Sequence, residues 1–110
     1  MILILLEKAT DEQRQKVAED FGGYIKIVAD VKQGILAAGG RLHVDAEQKL
    51  LKEVDSKQED LWGGGFDLET GEIDFDSMIN LRPAQDNPSR EVLSADIRKK
   101  MEEIVVRILK

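Results

Sequence analysis

His43-x-Asp45-x-Glu47 sets one imidazole and two carboxylates within five residues. Neutral imidazole and carboxylate oxygens are the donors that divalent cations take. If the segment is extended, side-chain alternation brings His43 and Asp45 to one side, and Glu47, in the first turn of a following helix, lies close by. Glu59 or Asp60 folded over this group would complete an oxygen-rich shell. His43 is the single histidine and the chain has no cysteine, so Mg, Mn or Ca suits the set better than Zn. A reading without metal competes with this one: Asp45 caps a helix, and Glu47 is an acid favoured by the helix dipole.

A second set, Arg82, Asn87, Ser89 and Arg90, falls within nine residues after a strand-like segment. Arginine offers forked donors to phosphate or carboxylate, and amide and hydroxyl groups can complete such a shell. The alternative is that Arg82 pairs with an acid such as Asp76 and pins the loop. Taken together, an acidic metal cluster facing two arginines has the parts for phosphoester chemistry. Gly63-Gly64-Gly65 is no phosphate loop, because Phe66-Asp67 follows where Lys-Ser/Thr and a helix are needed. It fits a bulge or an irregular edge approached by other backbone, with Trp62 beside it as an amphipathic plug. Ser56, Ser77 and Ser89 have no nucleophile-elbow context.

The elements that must position these residues follow from periodicity and punctuation. Residues 1–6 read as a strand rather than a secretion signal, since the run lacks a basic start, is short and meets Glu7 at once. Thr10 with Gln13 forms a capping box and Gly22-Gly23 a left-handed stop, predicting a helix over 11–21 that buries Val17, Ala18 and Phe21. Residues 24–31 alternate as a strand, and Lys32-Gln33-Gly34 turns the chain into a second strand over 35–44, broken near Gly39-Gly40. Asp45 with Gln48 predicts a capped helix carrying Ala46, Leu50, Leu51 and Val54. Strands over 60–68 and 72–81 follow, with Ile73, Phe75 and Ile79 inward, then a proline-bounded loop from Pro83 to Pro88. Ser94 caps a last helix on which Ile97, Met101, Ile104, Val105 and Ile108 recur at helical spacing. The fold expected is α+β, in the order β-α-β-β-α-β-β-α, with three helices on one face of a mainly antiparallel twisted sheet.

Composition bounds the rest. A chain of 110 residues with 42% apolar and 35% charged residues suits a single domain spanning 1–110. The absence of cysteine excludes disulfides and thiol chemistry and makes a reducing, cytoplasmic location the expectation. The net charge of −6 is uneven: residues 41–80 hold 4 basic and 11 acidic groups, while residues 81–110 hold 7 and 5. An acidic middle disfavours polyanions, so non-specific nucleic-acid or membrane binding is not expected as the main activity.

Three segments carry a resemblance: Gly39-Gly40-Arg41-Leu42-His43-Val44-Asp45-Ala46-Glu47, Gln58-Glu59-Asp60-Leu61-Trp62-Gly63, and Ser77-Met78-Ile79-Asn80-Leu81-Arg82-Pro83. Together they resemble the signature of a family of short, uncharacterised prokaryotic proteins known as a domain of unknown function. The resemblance runs from the first strand to the last helix, so it implies one intact domain, and it brings no activity with it. In that pattern the polar turn often reads Gly-Ser-x-Gln where this chain has Asp55-Ser56-Lys57-Gln58, and the loop Asn-Arg-Ser where it has Asn87-Pro88-Ser89.

Two function classes therefore stand. One is a binding or interaction module, as a monomer or a homodimer, holding a small ligand or protein partner around His43, Gln58, Trp62, Arg82, Asn87 and Arg90. The other is a metal-assisted phosphoesterase or nuclease-like hydrolase, with His43, Asp45 and Glu47 as ligands, Asp60 as base and Arg82 as charge stabiliser.

Overall fold

Five strands and three helices are spread along residues 1–110 of the computed structural model. Strand β1 (Ile2–Leu5) is followed by helix α1 (Asp11–Ala18), the hairpin of β2 (Tyr24–Asp30) and β3 (Ile35–Gly39), helix α2 (His43–Glu53), β4 (Leu61–Asp67), β5 (Ile73–Asp74) and helix α3 (Ala95–Leu109). The order is the expected one. All strand pairings are antiparallel, and the sheet runs β1-β3-β2-β4-β5.

The helices cover both faces of the sheet rather than one. Ile25, Ile27 and Ala29 of β2 with Leu36 and Ala38 of β3 pack beneath Val17 and Ala18 of α1 and Met101, Ile104, Val105 and Ile108 of α3. The intervening Val28, Ile35 and Ala37 turn to the opposite side, where Ala46 and Leu50 of α2 cover them. Strands buried on both faces read as near-continuous apolar runs, so the alternation along residues 24–31 conceals a second, smaller core. Ile73 and Phe75 join the larger layer and Ile79 the smaller one, so the three do not share a face.

Several boundaries move for identifiable reasons. The α1 capping box forms as expected, with Thr10 and Gln13 each bonding the other's backbone N–H. The helix then tightens into a 3₁₀ turn at Glu19–Phe21, which carries Phe21 out to the surface. Gly39 and Gly40 take φ of +100° and +81° and end β3, so the strand does not continue through residues 40–44. Leu42 is the N-cap of α2, and Asp45 stands in its first turn without a capping bond. Asp55, at φ +53°, follows the end of α2 in the left-handed region, and the Ser56 N–H reaches back to the Leu50 carbonyl. The expected strand over 72–81 shrinks to two residues, because Ser77 caps a 3₁₀ turn at Met78–Asn80.

Asp30, at the end of β2, is almost wholly buried. Its carboxylate accepts from the backbone N–H groups of Lys32 and Gln33, the Gln33 side-chain amide and the Ser56 hydroxyl. One acid thereby ties the β2–β3 turn to the end of α2. No helix is long and apolar enough to cross a membrane.

Candidate functional site

The outer edge of β4 explains many of the residues that the sequence singles out. Along an antiparallel strand, alternate residues turn their N–H and C=O groups to the same side. Away from β2, Arg82 Nη2 donates to the Leu61 carbonyl at 2.7 Å and the Asn80 side-chain amide pairs with Gly63. Further along, β5 lies against Gly65 and Phe66, and the Asp67 N–H bonds the Glu72 carbonyl. Arg82 also donates to the Gln58 carbonyl, and its guanidinium lies 3.8 Å from the centre of the Trp62 ring. An exposed sheet edge is thus closed by side chains.

This assigns structural work to much of the expected ligand set. Trp62 is buried, Arg82 is spent on two carbonyls and an indole face, and Gln58 contributes its backbone oxygen. Asn87 is buried too, its amide donating to the carbonyls of Asn80, Ser89 and Glu91 and accepting from the Leu93 N–H. Asp76 pairs with Arg90, at 3.5 Å, rather than with Arg82.

The expected metal set does not assemble. With α2 starting at His43, His43 and Glu47 lie one turn apart on one side of the helix, while Asp45 projects elsewhere and is exposed. No three His, Asp or Glu side chains anywhere are placed to hold an ion together. Asp60 ends the 3₁₀ turn at Gln58–Asp60, where its carbonyl accepts from the Val31 N–H. Glu47 is instead buried, with Oε2 sealed from solvent and unbonded, and so is Arg82 Nε. Burial pushes the Glu47 carboxyl above the ordinary range, and the neighbouring Arg82 charge opposes that.

A cleft of about 290 Å³ opens where the start of α2 meets β2 and the segment after β5. Tyr24 and Lys26 line it from β2, His43 from α2, Asp76 and Met78 from the loop, with Arg90 at the rim. His43 Nε2 lies 2.7 Å from the Gly64 carbonyl. A carbonyl only accepts, so Nε2 carries the hydrogen and the neutral ring keeps its lone pair on Nδ1. That nitrogen has no protein partner and is not sealed from solvent. Burial lowers the His43 pKa, against the Gly64 bond, which raises it. The Tyr24 hydroxyl donates to Asp74 Oδ2 at 2.6 Å, and burial, followed by the Asp74 carboxylate, drives its pKa upward.

Two of the three glycines, Gly63 and Gly65, leave room for the walls of this cleft, and Gly64 for the opposite layer. A Cβ at Gly65 would fall 1.8 Å from Tyr24 Oη, one at Gly64 2.2 Å from the Asp74 carbonyl oxygen, and one at Gly63 2.6 Å from Ser77 Cβ. They lie in a regular strand, and Tyr24, Ser77 and Ile79, which approach Gly65 and Gly63, are walls of the site. Of the expected residues, the cleft gathers His43 and Arg90. Tyr24 and Lys26 carry no such signal, because a lysine and a tyrosine in an alternating strand look like its solvent face.

A family model described as "Protein of unknown function (DUF5674)" matches residues 3–108. The chain belongs to this family. Membership of DUF5674 supports the whole-length resemblance read from the three segments and leaves the activity open. No curated protein and no solved structure matches the DUF5674 chain.

Proposed function

We propose that this protein is a binding module whose cleft at the start of α2 takes a small ligand with an anionic group and an apolar portion. The observation that carries the reading is the start of α2 itself. Leu42, the N-cap, offers no side-chain oxygen, so the His43 and Val44 N–H groups have no capping partner at the positive end of the helix dipole, while the Asp45 N–H bonds the Leu42 carbonyl. They stand in the same cleft as Lys26, and as Arg90, which also faces the Asp76 carboxylate at 3.5 Å. Backbone donors at a helix start, assisted by cationic side chains, are a general solution for carboxylate or phosphate. Leu42, Val44 and Met78 are exposed around it, supplying apolar contact for the rest of the ligand. His43 Nδ1 adds one acceptor for a ligand hydroxyl or amine. The volume suits a metabolite-sized fragment rather than a large cofactor.

The test is a two-dimensional NMR titration with inorganic phosphate and, separately, hexanoate. Saturable shifts should centre on the His43 and Val44 amides, and hexanoate should also move Met78. Lys26→Ala and Arg90→Ala should each weaken the response, and a bound anion should raise the His43 pKa, as reciprocal linkage requires. Identical titrations in wild type and Lys26→Ala, or no saturable response to either probe, would refute the reading.

A further inference from the structure

We infer that the free edge of β1 is an interface for a second copy of this chain, with the two β1 strands pairing antiparallel about Ile4. The two edges of the sheet are treated differently. On the β4 side, Arg82, Asn80 and β5 take up the outward backbone groups. On the β1 side, the strand pairs only with β3.

The direction of the β1 groups follows from the sheet itself. Gly63 spends both its N–H and its C=O on Asn80, so they point away from β2. Its partner Val28 therefore turns its own groups to β3, where it meets Ala37. Ala37, committed to Val28, has none left for Ile4 across the ladder. Ile4, and by the same alternation Ile2, thus direct N–H and C=O outward from the sheet.

What this edge lacks points to its occupant. Sheet edges exposed to water are commonly guarded by a charge, a proline or a bulge. Residues 1–6, Met-Ile-Leu-Ile-Leu-Leu, carry no charged side chain and no proline, and β1 has a regular register with β3. An uncharged strand can lie beside its own copy without like-charge repulsion, although each chain carries a net −6. Two-fold pairing with Ile4 opposite Ile4 places Ile2 opposite Leu6 of the second copy. Leu6 is 61% exposed, and Ile2 and Ile4 are only partly covered by the α2 layer. Leu3 would meet Leu5 on the other face. Both apolar layers then continue across the junction, and two five-stranded sheets become one.

The experiment combines sedimentation equilibrium with amide exchange on the full chain. The mass should approach twice 12.4 kDa as concentration rises, and the Ile2 and Ile4 amides should become protected over the same range. Leu6→Lys changes an exposed side chain, so it should return the mass to that of one chain and leave unchanged the far-UV spectrum and the thermal unfolding measured at dilutions where the wild type is also a single chain. A single-chain mass at every concentration from micromolar to millimolar would overturn the inference. So would a dimer that survives Leu6→Lys or leaves the Ile4 amide freely exchanging, since its interface would lie elsewhere.

Discussion

Asn80 gives Gly63 the two hydrogen bonds that a neighbouring strand would give: Oδ1 accepts from the Gly63 N–H at 2.8 Å and Nδ2 donates to the Gly63 carbonyl at 2.9 Å. The same Nδ2 reaches the carbonyls of Phe75 and Arg90, so one buried amide closes a sheet edge and gathers the two segments beside the cleft. Asn80→Ala would leave the buried Gly63 N–H and C=O without partners, while the carbonyls of Phe75 and Arg90 keep their bonds from the Val92 and Ser77 N–H groups. Each such group costs about 1–3 kcal/mol, and the variant should lose about 3 kcal/mol or more in urea unfolding. A loss under about 1 kcal/mol would mean that the edge is satisfied in another way.

Glu47 makes a pH-dependent contribution of unusual sign for a carboxylate. Its folded pKa lies above the ordinary 4.5, so above that pH the folded chain holds more proton at this site than the unfolded chain does. Stability from this group is therefore greatest below about 4.5 and is lost as pH rises through the folded value. Glu47→Gln removes the charge and keeps the shape. It should stabilise the protein at pH 7 by on the order of 1 kcal/mol and flatten this part of the stability profile. Thermal unfolding of both chains across acidic to neutral pH tests this, and destabilisation of the glutamine variant at pH 7 would show that the charge is needed by Arg82.

The left-handed Asp55 is a residue where glycine would be easier. L-residues carry a cost of roughly 1–2 kcal/mol in this conformation, reduced for aspartate, and glycine avoids it. Asp55→Gly should raise stability by about 0.5–1 kcal/mol in denaturant unfolding. An unchanged or lowered midpoint would place the benefit of the aspartate elsewhere in the turn.

Legibility in the sequence tracked how local each signal is. The α1 capping box, the turn at residues 31–34 and the cap of α3 rest on neighbours a few positions apart, and all three were readable. Asp45 and Gln48 imitate a capping box and shift the expected start of α2, while the actual N-cap is an apolar residue with nothing to advertise it. Nor does periodicity say which side of a sheet a helix covers, so the second layer under α2 was missed. At the site, His43 and Arg90 stood out by chemical type. Glu47 drew attention as a ligand when it is a buried acid, and Asn80 drew none as a hub, because its partners at Gly63, Phe75 and Arg90 come together only in three dimensions.

The carboxylate of Asp30 also bears on the order in which the chain assembles. All of its partners lie between residues 32 and 56, so β2, β3 and α2 can fasten to one another before either end of the chain arrives. Docking of α3, by contrast, brings Ile108 to the backbone of Ala9, which spans nearly the full sequence. Short closures cost less entropy than long ones, so the central segment should nucleate and the ends should join late. Folding-rate measurements on conservative core variants should then show Leu50→Ala slowing folding and Ile108→Val chiefly speeding unfolding.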